Sequence, residues 1–70
     1  MEQKPKRRIQ MITARKKKGL YQWQVAEAVE VETNYIAMVE RGLRRPSVDL
    51  AKKLEKVLGI KWHEILEDNQ

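Results

Sequence analysis

The sequence predicts an all-α fold, a compact five-helix bundle in a single domain, and three observations carry that expectation. Gly19, Gly42 and Gly59 follow "RKKK", "AMVER" and "KKLEKVL", and each fits the left-handed residue that closes a helix, a conformation glycine takes without steric cost. Apolar residues recur three and four apart between these stops, the spacing of one helix face. No stretch alternates in a two-residue period long enough for a half-buried strand, and the β-branched residues are interleaved with Glu, Lys and Ala.

Taken in order, the spacing predicts helix one over 6–18, with Lys16, Lys17 and Lys18 at its end, where positive charge favours the helix dipole. Helix two is expected over 22–29 and helix three over 33–41. Pro46 and Ser47 read as a loop end and an N-cap, opening helix four over 47–58 with Val48, Ala51, Leu54, Val57 and Leu58 at helical spacing. Helix five, 62–68, carries an apolar stripe of Trp62, Ile65 and Leu66, most simply packed on the core. Only Glu30 to Glu32 separate helices two and three, too few residues for an antiparallel pair, so the two should cross steeply. Val25, Ala26, Val29, Val31, Ile36 and Val39 then face a shared interior, which is the helix-turn-helix pattern.

Seventy residues, 41% hydrophobic and 36% charged, suffice for one small core and a folded chain. A domain this short buries only about 60% of its unfolded surface, so association into a dimer would help it. With no cysteine, disulfides, thiolate metal sites and thiol nucleophiles are excluded, and a reducing, cytoplasmic setting is expected. The basic start, "MEQKPKRRIQMITARKKK", is broken by Gln10, Thr13 and Arg15 before any signal-type apolar region forms, and no membrane span is expected. His63 is the lone histidine and Ser47 the lone serine. A metal centre needs three or four ligands and acid–base chemistry needs a partner in a cleft, so no metal, cofactor or enzymatic role is expected.

The net charge of +5 is distributed in blocks. Residues 1–18 hold eight basic side chains against Glu2, whereas residues 19–40 hold four glutamates and no Lys or Arg. Residues 41–53 are basic again, with Arg41, Arg44, Arg45, Lys52 and Lys53 against Asp49. Two basic blocks around an acidic one suit a polyanion gripped at two places. Residues 1–6 are expected to form a flexible basic arm on this domain.

The stretch "GLYQWQVAEAVEVETNYIAMVERGLRRPS", with Ala26 in helix two, Tyr35-Ile36 early in helix three and the Glu40-Arg41-Gly42 ending, resembles phage repressor and Cro-type helix-turn-helix domains, the XRE family. "LGIKWHEILED" resembles the entry to that family's fifth helix. The resemblance implies a lambda-repressor-like bundle whose helix three enters the DNA major groove while helix two lies across the backbone. The base contacts it implies are Thr33, Asn34, Ala37 and Met38. The Asn34 amide suits bidentate pairing with adenine, while Met38, where relatives often carry Gln, offers only an apolar contact. Backbone contacts fall to Tyr21, Gln22, Tyr35, Arg41, Arg44 and Arg45, with solvated loop arginines as the alternative, and Lys4, Lys6, Arg7 and Arg8 either make arm contacts or form a solvated tail. Arg15 and Glu40 match a structural ion pair of the family, and Trp62, Ile65 and Leu66 match its two-fold dimer contact.

Four positions depart from the family pattern. Tyr21 and Glu32 replace the usual Ser or Thr caps of helices two and three, and Lys61 replaces one before helix five. Glu30 stands at the turn position where relatives often have Gly, so a left-handed backbone there would carry a penalty of about 1–2 kcal/mol. Function is accordingly expected to be sequence-specific binding of double-stranded DNA by a homodimeric transcriptional regulator. The alternative is a protein-interaction module of the same fold, with Glu27, Glu30 and Glu32 docking a protein partner such as a toxin or a polymerase subunit.

Overall fold

The computed structural model describes residues 6–67. Among them are five helices and no strand: α1 (Ile9–Lys17), α2 (Gln22–Val29), α3 (Thr33–Glu40), α4 (Val48–Leu58) and α5 (Trp62–Glu67). Lys4, most of the arm, and the expected end of helix five at 68 lie outside the described residues. None of the described helices is long and apolar enough to cross a membrane.

The main departure from the expected boundaries is at the start of α1. The sequence places it at residue 6, but the chain becomes helical only at Ile9, because Arg8 is held outside the helix at φ −82°, ψ 80°. Its backbone N–H donates to the Glu40 carbonyl at 2.8 Å rather than remaining at a helix start. α3 ends at Glu40, one residue early, with Arg41 as its cap. Ser47 caps α4 from outside, its Oγ accepting the Leu50 N–H at 3.1 Å and so satisfying one of the donors a helix start leaves open.

Three helix ends close by the same device: α1 through Gly19, at φ 70°, and Leu20, which donate to Lys16 and Arg15, and α2 and α3 likewise. After α3, the N–H of Gly42 donates to Val39 and that of Leu43 to Met38, with Gly42 at φ 80°. After α2, Glu30 donates to Glu27 and Val31 to Ala26, with Glu30 at φ 64°, ψ 44°. All three are Schellman closures, which need a left-handed residue. Glu30 is the one described non-glycine residue with positive φ, and its Cβ is crowded there by the following carbonyl.

The core is shared by all five helices: Met11, Val25, Ile36, Val39, Ala51, Leu54 and Ile65 are completely buried. On α4 the inward stripe is Leu50, Ala51, Leu54 and Leu58, with Val57 half-buried against it. Val48, expected on that stripe, is instead 45% exposed, because it is the first residue of the helix and lies at the edge of the packed interior. At the start of α2 no side chain caps from Tyr21, but Gln24 Oε1 reaches back to accept the Tyr21 N–H at 2.8 Å, which is half of a capping box. Glu32 makes no cap bond to α3 and acts there only as a negative charge at the positive end of the helix dipole.

Candidate nucleic-acid interface

α3 separates into two faces. At about 100° per residue, Thr33, Ala37, Arg41, Asn34 and Met38 fall within an arc of about 140°, and Tyr35, Val39, Ile36 and Glu40 fall opposite. Burial follows that division: Ile36 and Val39 are in the core, Thr33, Asn34 and Arg41 are exposed, and Ala37 and Met38 are half-buried. The outward face therefore carries an amide, a hydroxyl, two apolar groups and a guanidinium on a backbone anchored from below. Such a row can present hydrogen-bonding groups and methyls to base edges in a groove wide enough for a helix.

Glu40 organises the elements around this face. It is only 2% exposed although it sits at the negative end of α3, where a carboxylate opposes the dipole. Arg15 from α1 offsets this, with Nε to Oε2 at 2.6 Å and Nη2 to Oε1 at 3.2 Å, a two-point pairing of planar groups. Arg15 also donates from Nη1 to the Leu20 carbonyl at 2.9 Å. Gln22, the first residue of α2, donates from Nε2 to Glu40 Oε1 at 3.0 Å. The starting end of α2 and the finishing end of α3 are thus locked to one carboxylate. The Gln22 amide, expected on a phosphate, has one of its two N–H groups committed to Glu40. Tyr21 beside it is 68% exposed.

The arginines after α3 differ from one another. Arg41, Arg44 and Arg45 are all exposed, but of the three only Arg45 has a side-chain bond to a helix among the described residues. Arg45, expected on the DNA backbone together with them, lies against the end of α5, Nη1 to the Leu66 carbonyl at 3.4 Å, a long and weak bond. Tyr35 is half-buried and lines a groove of about 530 Å³ between the α2–α3 turn and the start of α4, shared with Glu30, Glu32, Asp49 and Lys53. Its ring is committed partly to the core.

One expectation is overturned. Arg8 is no arm residue: it is 1% exposed, and its guanidinium donates to the carbonyls of Ile65 (Nε, 3.0 Å), Val39 (Nη1, 2.7 Å) and Arg44 (Nη1, 3.0 Å). Carbonyls at two helix ends and in the α3–α4 loop offer it more than a phosphate at the surface would. Lys6 and Arg7, just before it, remain exposed. The α5 stripe packs on the core, as its simplest reading has it, which narrows what could serve the dimer contact that the resemblance implies. Ile65 is fully buried and Leu66 is 7% exposed, both within the chain's own core, which leaves Trp62 alone partly outside. Trp62 stacks on His63 with ring centroids 3.8 Å apart, and Lys52 Nζ lies 5.4 Å from its ring.

Sequence reasoning also missed the bond from Gln22 to Glu40. Its only available signal was the matching of Glu40 with Arg15, which already required a polar pocket at that place.

A helix-turn-helix family model matches residues 11–65, which takes in all of α2, the turn and α3. The chain is 41% identical over 54 residues to an uncharacterized HTH-type transcriptional regulator, YqaF, of Bacillus subtilis (strain 168), an alignment that covers 77% of this chain and 71% of that protein. No solved structure matches. With the matched span running through the core, the Arg15–Glu40 pair and the outward face of α3, the chain belongs to the XRE family of helix-turn-helix proteins.

Proposed function

We propose that this protein is a sequence-specific DNA-binding regulator of transcription that lays α3 in the major groove and makes no chemical change to its target. The observation that carries this reading is the outward face of α3, where exposed Thr33 and Asn34 stand beside Ala37, Met38 and Arg41. Family membership and a relative named as a transcriptional regulator support it. Asn34 is the primary reader, its amide pairing with adenine N6 and N7, and Thr33 packs its methyl on thymine or donates to an acceptor. Arg41 and Arg44 hold phosphates beside the bases, with exposed Tyr21 and the second N–H of Gln22 at the start of α2 doing so on the other side.

The protein acts in the cytoplasm, as its cysteine-free sequence suits. It binds as a homodimer on a palindromic site with half-sites about one helical turn, roughly 34–36 Å, apart. Because Ile65 and Leu66 serve the core, the two-fold contact is built around Trp62 and its neighbours on the outer side of α5.

Selection of bound fragments from random duplexes, followed by titration of Asn34→Ala on the selected site, tests the reading. The selection should return a palindrome, and the substitution should weaken the site by about 1–3 kcal/mol while leaving binding to unrelated duplex unchanged. Recovery of no common sequence, or equal weakening on both duplexes, refutes it.

A further inference from the structure

Arg8 sits at the junction between the basic arm and the face described above. Its backbone N–H and one guanidinium nitrogen reach the last two carbonyls of α3, at Glu40 and Val39. That nitrogen also holds the Arg44 carbonyl in the loop after α3, and Nε holds Ile65 in α5. Three separate segments, α3, the loop after it and α5, are therefore held by one side chain that is almost inaccessible to solvent. The terminal carbonyls of a helix carry its negative dipole end, which repels phosphates, and a guanidinium donating to them cancels that repulsion where Arg41 and Arg44 emerge. Exposed Lys6 and Arg7 leave the domain from this same point.

We propose that Arg8 is a positioning residue for DNA binding. It touches no phosphate itself. It fixes the exit of the arm at the end of the recognition helix, so that Lys6 and Arg7 continue the phosphate grip of Arg41 and Arg44 instead of trailing in solvent. A lysine at position 8 keeps the charge, but its donors radiate from one nitrogen, without the planar fork whose Nε and Nη1 reach carbonyls of different elements. This inference rests on the DNA-binding reading above.

The test is a cycle of four proteins: wild type, K6A/R7A, R8K and R8K/K6A/R7A. Each is titrated on the selected duplex over a range of salt, at a temperature where circular dichroism shows it fully folded. Taking away the two phosphate charges of the arm lowers the slope of log K against log salt by about 1.8. That drop is expected in the wild-type background, and about half of it or less in the R8K background, where the arm is already released. A merely structural Arg8 would change the melting temperature and leave the arm's decrement the same in both backgrounds, and that result overturns the proposal. So does a K6A/R7A protein with the wild-type slope. Absence of salt-dependent binding by the wild type itself would instead defeat the parent reading, and this inference with it. Should R8K fail to fold, the same cycle built with R8Q on a Glu30→Gly background is read in the same way.

Discussion

Glu30→Gly should make the protein more stable although it removes a side chain. Glu30 occupies the left-handed region at φ 64°, ψ 44°, closing α2 through the N–H groups of Glu30 and Val31. A residue with a Cβ loses about 1–2 kcal/mol in that conformation. Glycine escapes the clash but has a freer unfolded chain, which returns about 0.4–1 kcal/mol. Removing a carboxylate from the negative end of α2 adds a further small gain. The net expectation is a stabilisation of about 1 kcal/mol, or a rise of about 4–8 °C in melting temperature for a domain of this size. Thermal denaturation followed by the helix signal in circular dichroism compares Glu30→Gly with Glu30→Gln and Glu30→Asn. The glutamine variant isolates the charge and should stay near the wild type. Asparagine, which tolerates the left-handed region, should fall between. A glycine variant that melts at or below the glutamine variant would show that the backbone at this turn is not strained, and the reasoning would fail.

Other outcomes follow from the same contacts. Arg15→Ala leaves Glu40 buried without its guanidinium and should cost about 3–5 kcal/mol, a large part of the roughly 4–10 kcal/mol total expected of 70 residues. Thermal melts check this, and a loss under about 1 kcal/mol would mean that the pair is solvated. Arg44→Ala should lower the salt slope of DNA binding by about 0.9, whereas Arg45→Ala, whose side chain lies on the Leu66 carbonyl, should lower it less. Anisotropy titrations in several salt concentrations separate the two, and equal decrements would place Arg45 on the backbone as well.

Most of the fold was legible because its signals are local. The range 22–29 for α2 came from the spacing of Val25, Ala26 and Val29, and α4 from the sequence Pro46-Ser47 and a helical apolar run. A glycine fixes the end of α3 to within a residue in the same way. Arg8 was not legible, since the carbonyls it holds are 31, 36 and 57 residues away and nothing beside it distinguishes it from Arg7. What covers the α5 stripe stayed open for a related reason. Periodicity shows that Ile65 and Leu66 share an apolar face, but a face packed on the chain's own core and one packed on a second copy have the same pattern. The turn at Glu30 was readable only through the family resemblance, because local propensity alone gives a glutamate no reason to be left-handed.

The acidic segment in the middle of a basic protein follows from how its glutamates are placed. Of Glu27, Glu30, Glu32 and Glu40, the last is inside the domain and is neutralised by Arg15, so it presents no charge to an approaching phosphate. Glu32 favours the start of α3 through the dipole, and Glu30 closes α2 at a cost in strain. These two leave negative charge at the turn, near the place where the start of α3 would meet DNA. Lys53 lines the groove with Glu30 and Glu32, but Asp49 lies there too, and the other positive groups near this face, Arg41, Arg44, Lys6 and Arg7, come from the opposite end of α3, where Arg8 holds the Val39 and Arg44 carbonyls. Affinity should therefore come from one end of the recognition helix and discrimination from the other. Replacing Glu32 with Gln should then raise affinity for all duplexes alike, while replacing Asn34 changes which duplex is chosen. Titration of both variants on the selected and an unrelated duplex checks this, and a Glu32→Gln protein that gains on only one of them would place Glu32 among the base-reading groups.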